Sequence, residues 1–324
     1  MRIVLTGAAQ GPGHDILREL VRQEADLTLL LDESEPLPAE AGDARRVTFD
    51  PDTPGSLTQA LTDATHVVHA RALTEPGHAG SEYAAVNLHA TTALLDACRR
   101  HPLEQFLFIS TTDAYGSGMP PWPVSESWTP RPIGAALQSR VEAERAARTY
   151  RRQTPLTILR PAPLINQGGG TLLTVLRHFI SHPRGALVGG GDTPISILAG
   201  ADLGRVVWAL LTHPEEAVGQ VFHATSAHTT WRELAIEACQ LRGVEPRFWR
   251  APRILAQALD LVGLAEWALP SPDGVEGYVA LTGRPHLIDD SRARVAVDYA
   301  PLFGTRAALA QALDAYGDGG SRAG

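Results

Sequence analysis

Lysine is missing from this chain: all 28 of its basic residues are arginine. No side chain can therefore form a Schiff base or act as a catalytic ammonium, and arginine, always protonated, cannot take over as a proton carrier. Cysteine is nearly as scarce. Cys98 and Cys239 sit far apart in apparently helical stretches and read as small buried hydrophobes, which leaves a disulfide framework or zinc site without support. The 12 histidines show no H-E-x-x-H pattern or paired spacing that would hold a metal, and no G-x-S-x-G elbow occurs. No apolar run is long enough to span a membrane. The opening MRIVLTGAAQGPG enters a strand and a glycine turn without a signal-peptide layout, so a cytoplasmic protein with no membrane partner is expected. A net charge of -8 argues against nucleic acid. A small molecule is the partner that remains, and the oligomeric state stays open.

What is present is ordinary for a globular protein. The 324 residues, 44% hydrophobic and 20% charged, can bury a sizeable core, and the all-arginine, Ala-, Gly- and Pro-rich composition is that of GC-rich coding. Short apolar runs alternate with longer amphipathic stretches, the pattern of a parallel sheet with crossover helices. Strands are expected at Arg2–Thr6, Leu27–Leu31, Arg46–Phe49, His66–His69, Gln105–Ile109 and Leu156–Leu159. Helices are expected at His14–Gln23, Ser56–Leu61, Ser81–His101, Ile133–Arg152 and Gly170–His182. The fold class is α/β: a Rossmann, doubly wound parallel sheet over residues 1–165, then a smaller C-terminal substrate-binding region over 166–324 with segments that return to the first. Beyond Pro161 the alternation loosens, Pro and Gly cluster at Gly168–Gly170, Gly189–Gly191 and Pro270–Gly277, and the tail from Gly317 is expected to fray.

The first strand runs into TGAAQGPGHDILREL. A glycine turn between strand and helix lets the backbone approach a pyrophosphate, which free N–H groups and the helix dipole then favour. Gly7 and Gly13 hold the outer positions of G-x-x-G-x-x-G, Gln10 stands at the middle one, and Gly11 follows it. A side chain at position 13 is expected to intrude on the pyrophosphate. Asp32 closes the second strand roughly 20 residues further on, where a carboxylate accepts both ribose hydroxyls and repels a 2′-phosphate. That favours NAD over NADP, against the alternative of a solvated turn aspartate. Asp50, after the third strand, reads equally as a contact to the adenine amine or as part of an acidic loop.

The succession TGAAQGPG, Asp32, FDPD, VVHARA, Asn87, FISTTDAYG and LRPAPLIN, followed by ADLG at 201–204 and DDSRARVAVDYAP near the end, resembles the extended short-chain dehydrogenase/reductases, the group containing nucleotide-sugar epimerases and dehydratases. The likeness covers nearly the whole chain. It implies NAD(H) or NADP(H) held by the Gly7–Gly13 turn with Gln10 and Gly11, by Asp32 and Asp50, by Ala70, Arg71 and Ala72 on the nicotinamide side, and by Asn87 and Arg140. Pro161 and Ala162 would abut the nicotinamide ribose. Arg71 stands where a small residue is usual, and reads as a contact to pyrophosphate or substrate or as a surface salt bridge. The resemblance makes Thr111 the catalytic hydroxyl and puts Thr112 and Tyr115 on the substrate side. Met119 and Trp122, in SGMPPWPVSESW, either wall an aromatic substrate or pack on the body.

One departure outweighs these matches. The group uses Y-x-x-x-K on one helix face, the tyrosine donating the proton and the lysine lowering its pKa and holding the ribose. Counted from Glu144 in SRVEAE, the lysine position is Arg140 and the tyrosine position is Ala136. Arg140 can hold ribose hydroxyls and supply positive charge, but Ala136 can do neither job. Three readings follow: a nicotinamide-dependent ketoreductase taking its proton from substrate or water, a non-redox cyclase or isomerase, and a non-catalytic nucleotide sensor. The first is preferred, because glycine turn, Asp32, Thr111 and Arg140 stand together. On the missing tyrosine and the composition, the chain is similar to the atypical ketoreductases that tailor aromatic polyketides.

Overall fold

A computed structural model describes residues 1–9, 11–254 and 278–317, so Gln10 and the Pro270–Gly277 cluster lie outside the described residues. Strands β1 (Arg2–Thr6), β2 (Asp26–Leu31), β3 (Arg45–Thr48), β4 (His66–His69), β5 (Gln105–Ile109) and β6 (Leu156–Pro161) form within a residue or two of the expected spans. They join a seven-stranded parallel sheet in the order β3-β2-β1-β4-β5-β6-β10. The seventh strand, β10 (Val221–Ala224), pairs Val221 with Ile158 and Ala224 with Pro161, and its four residues, VFHA, are too few to carry a period.

Successive strand residues point to opposite faces, so the sheet is buried twice. Ile3, Leu5, Leu29, Val68 and Leu107 pack beneath α1 (Gly11–Arg22) and the later helix at Gly200–Thr212. Val4, Leu30, Val67, Phe106 and Phe108 pack under α2 (Pro54–Leu61) and the helices that follow β4 and β5. A fully buried Leu or Phe contributes about 1.5–3 kcal/mol. The expected Ser81–His101 helix is in three parts: α3 (Gly80–Tyr83), a π-helical turn at Ala84–His89, and α4 (Ala90–Cys98). Helix α5 (Ala135–Thr149) starts after Gly134, whose φ of 80° is not helical. In the second half, α6 (Thr171–Ser181), α7 (Gly200–Thr212), α8 (Pro214–Ala217) and α9 (Trp231–Leu241) surround β7 (Leu164–Ile165), β8 (Ala186–Val188), β9 (Pro194–Ala199), β11 (Ala227–Thr230) and β12 (Trp249–Ala251). Strands β11-β9-β7 and β12-β8 make two small sheets. Among the described residues, no helix is long and apolar enough to cross a membrane.

Two polar devices lock α5 and the strand ends together. Glu144 of α5 is buried, and its carboxylate accepts Arg160 Nε and Nη2 at 3.0 and 2.5 Å, Arg148 Nη2 at 2.8 Å and the Ser110 hydroxyl at 2.7 Å. Arg160 Nη1 also donates to Tyr115 Oη at 2.6 Å. The tyrosine hydrogen then goes to His223 Nε2 at 2.6 Å, and His223 Nδ1 donates to Asp289 O at 2.9 Å. Accepting the tyrosine hydrogen at Nε2 requires a neutral His223, and burial presses its pKa down to about 4 against the raising effect of the Asp289 bond. Burial alone would raise the pKa of Glu144, but the Arg160, Ser110 and Arg148 contacts hold it at about 2.

These groups make the protein acid-sensitive. Glu144 ionises near 4.3 when unfolded, so its stabilisation is present above that pH and is lost as pH falls toward about 2. His223 folded is pressed to about 4 and His69 to about 3, against about 6.5 unfolded, so their contribution is present above pH ~6.5 and is also lost on acidification. Thermal melts from pH 8 to 3 should show a plateau above pH ~6.5 and a steady fall below it. Glu144→Gln, which strands Arg160, should cost about 3–5 kcal/mol at neutral pH. A melting temperature flat from pH 7 to 4 would contradict this account.

Candidate active site

The strand order reverses between β1 and β4, which opens a cleft at the carboxyl ends of the strands. Gly7 takes φ +72°, and a Cβ there would lie 2.7 Å from the N and Cα of Arg71 and 2.9 Å from the Ala70 carbonyl carbon. A Cβ on Gly13 would come within 1.9 Å of the Gly7 carbonyl oxygen. Gly13 is therefore needed for the helix to approach the strand, not to clear the pyrophosphate directly as the motif suggests. Gly11, at φ +58°, is the glycine that borders open space, with nothing within 4 Å of an added Cβ.

A directed hydrogen-bond chain ties the ends of β1 and β4 to the π-helical turn. Thr91 donates to Asn87 O at 2.6 Å, so His69 Nε2 must donate to Thr91 Oγ1 at 2.8 Å. His69 Nδ1 then accepts the Thr6 hydroxyl at 2.8 Å, and Thr6 Oγ1 accepts Arg71 N–H at 3.2 Å. This order needs neutral imidazole, which burial and then the charges of Arg140 and Arg71 enforce by pushing the pKa to about 3. Asn87 clips the loop after β4, exchanging bonds with Leu73 N and O at 2.7 and 2.9 Å and donating to Ser139 Oγ at 2.9 Å. Its side chain is spent on positioning. Ala70 is buried and Ala72 half-buried in this same loop.

Asp32 is the residue after β2, and in this structure its carboxylate is already engaged. Arg71 Nε and Nη2 hold its two oxygens at 3.2 and 2.8 Å. In this structure Arg71 is half of a part-buried ion pair with Asp32. Asp50 Oδ1 accepts Asp52 N at 3.0 Å, and bonds to Thr53 and Asp52 hold its pKa down; it caps its own turn, which is the acidic-loop alternative.

Thr111 follows β5 half-buried, its hydroxyl accepting Asp113 N at 3.1 Å and donating to Asp113 Oδ2 at 3.2 Å. Arg140 is buried, with Nη2 donating to Ile109 O at 2.5 Å and Nη1 to Arg71 O at 3.5 Å, so the guanidinium bridges the ends of β5 and β4. Burial lowers its pKa to about 10, which still leaves it charged at neutral pH. Ala136, one turn earlier, is half-buried. Pro161 and Ala162 close β6, and both are buried.

The substrate-side residues separate. Tyr115 is 0% exposed inside the Arg160–His223 network, so it cannot touch a ligand. Met119 is buried with Tyr115, Val124 and Ile288, the packing alternative, while Trp122 stands 63% exposed. Thr112 is also buried, donating to Pro161 O at 3.0 Å, so His286 Nε2 must donate to Thr112 Oγ1 at 2.9 Å. His286 is anchored to β9 through Ser196 N→His286 O at 2.7 Å, and it brings the C-terminal region beside the segment that follows β5. Asp113 is a local partner, two residues from Thr111, whereas nothing in the local pattern of either segment announced His286 as a neighbour of Thr112.

The residues present fit a dinucleotide on three counts. The Cβ direction of Gly11 is unobstructed although Gly168 packs against its backbone N, α1 begins at the glycine turn that follows β1, and Arg140 Nε is a buried donor with no partner among the described residues. Residues 3–224 match the model of the NAD dependent epimerase/dehydratase family. A curated relative, the uncharacterized UDP-glucose epimerase YtcB of Bacillus subtilis, is 27% identical over 179 residues, 49% of this chain and 55% of its own length. The chain thus spans about half the length of that relative. Among solved structures, gox2253 superposes with a TM-score of 0.82 at 19% identity and 98% coverage of each chain. The UDP-glucose 4-epimerase of Thermotoga maritima gives 0.77 at 16% identity, covering 98% of this chain and 99% of that one. The Bacillus cereus UDP-glucuronic acid 4-epimerase in complex with NAD gives 0.76 at 18%, covering 97% and 96%. At such identities the superpositions speak for the fold. The family match covers most of the chain and agrees with the glycine turn and strand order, and on it the protein belongs to the NAD-dependent epimerase/dehydratase family of extended short-chain dehydrogenase/reductases.

Proposed function

We propose that this chain is a nicotinamide-dependent ketoreductase that works without the tyrosine its family normally uses, on an aromatic polyketide or a similar secondary metabolite. The observation that carries the reading is the side-chain set on α5 and after β5: Ala136 at the tyrosine position, Arg140 at the lysine position, and a half-buried Thr111 whose hydroxyl is paired only with Asp113. Oxidising an alcohol, as sugar epimerisation requires, needs a base at the tyrosine position, and the Ala136 methyl is not one. Reduction needs only a held carbonyl and a proton.

The nicotinamide, when bound, supplies the hydride. Arg140 would hold the ribose through its unpartnered Nε and bring positive charge without relaying a proton. Thr111, released from Asp113, would donate to the carbonyl oxygen as negative charge grows there. A hydroxyl of this kind is a poor net acid, so it orients the donor or must be recharged. A phenol beside the ketone, ionising near 10, can give the proton directly, and ordered water is the other source. The exposed Trp122 and Ile133, and a methyl group in place of a phenol at Ala136, suit a flat apolar substrate.

Fluorescence titration should show binding of a nicotinamide dinucleotide, followed by turnover of polyketide ketones; no binding at millimolar concentration would remove the redox reading. Gly13→Val should lose that binding together with stability, since the added side chain meets the Gly7 carbonyl. Thr111→Val should slow turnover roughly 10²–10³-fold while cofactor affinity stays put. Ala136→Tyr should give no acceleration, its ring taking substrate space. A substrate methylated on the neighbouring hydroxyl should react more slowly than its parent, and equal rates would leave water as the proton donor.

A further inference from the structure

Arg71 leaves β4 against the glycine turn, its N and Cα 2.7 Å from where a Gly7 Cβ would lie. From there its side chain runs along the cleft toward the end of β2. Besides the paired contacts to Asp32, Nη1 donates to Val86 O at 3.3 Å and the guanidinium carbon stands 5.1 Å from the Phe49 ring centroid. The guanidinium therefore touches the end of β2, the residue after β3 and the π-helical turn, which together wall the adenosine half of a dinucleotide cleft.

This placement changes what Asp32 can do. A bare carboxylate there accepts two ribose hydroxyls and repels a 2′-phosphate. Here both oxygens are taken and the charge is cancelled. Of the neighbouring acids, Glu35 turns its carboxylate onto Asp32 N at 2.9 Å, and Glu33 is exposed. Arg46 Nη2 adds a second cation over the carbonyls of Asp32, Glu33 and Glu35 at 3.2, 3.1 and 2.9 Å.

We propose that Arg71 sets selectivity at the adenosine 2′ position, exchanging Asp32 for a ribose 2′-phosphate, so that the cleft takes NADPH at least as tightly as NADH. The guanidinium fork matches phosphate as well as carboxylate, and a phosphate monoester brings about −1.5 to −2 charge in place of one. Asp32 can be released because its side chain is 35% exposed and rehydrates when Arg71 leaves. Removing Arg71 uncovers the carboxylate, which then favours the unphosphorylated ribose. The proposal rests on the reading above only in requiring a dinucleotide of the nicotinamide class.

The test is calorimetric or fluorescence titration at low and moderate salt with NADH, NADPH, AMP and adenosine 2′,5′-bisphosphate. Wild type should bind NADPH no more weakly than NADH, and the bisphosphate more tightly than AMP. Arg71→Gln, with its fold checked by thermal melting, should weaken both 2′-phosphorylated ligands about 10–100-fold, the worth of one charge-assisted contact, and leave NADH within about threefold. Asp32→Asn, which keeps Arg71, should retain the phosphorylated ligands. Wild type preferring NADH tenfold or more, or Arg71→Gln weakening all four ligands alike, would overturn the proposal and leave the ketoreductase reading standing. Discrimination at the 2′ position without turnover of any ketone would sink that reading and keep this one. Failure of all four ligands to bind wild type would end both.

Discussion

The buried Glu144–Arg160 pair is the contact on which the geometry of the cleft depends. Helix α5 carries both positions of the family's catalytic pair, and Glu144 is the one residue of that helix that binds β6 and the residue after β5 at once. Arg160 extends the tie through Tyr115 and His223 to β10 and to Asp289. A charge taken out of water is tolerated only when hydrogen-bonded on every side, and Glu144 meets that condition with five donor atoms. Such a pair adds little net stability over apolar packing, but it admits one register. Arg140, one turn before Glu144, is thereby held across the ends of β5 and β4.

Against this scaffold, the loss of the tyrosine and lysine is confined. The turn, the strand ends and the Thr111 hydroxyl keep the form the fold gives them, while Ala136 and Arg140 replace an acid and its partner with a methyl group and a fixed cation. What such a site can still do is hold, orient and polarise. A reaction that brings its own proton asks no more than that, whereas one that needs a strong base asks for a group this helix does not have.

Local pattern was readable where the physics is local. The glycine turn, the β-branched strands and the amphipathic helices rest on neighbours in the chain, and β1, β4 and β5 appear at the expected residues. Asp32 was readable as the end of β2, but its partner is 39 residues away, and no pattern around either residue tells that the carboxylate is engaged. Tyr115 sits in a stretch that the family resemblance assigns to the substrate side. Its burial comes from His223, 108 residues on, and so from a strand too short to show a period. His286 reaches Thr112 across 174 residues through a bridge to β9.

Sequence by itself determined the class of fold, the place of the glycine turn between β1 and α1, and that alanine and arginine stand where the resemblance expects tyrosine and lysine, since each depends on residue type at a short spacing. Only the tertiary structure decided which polar side chains remain available to a ligand. That depends on desolvation: once buried, Tyr115, Glu144, His69 and Asn87 had to spend their hydrogen bonds on other side chains or on backbone, whereas Thr111 and Trp122 stayed within reach of solvent.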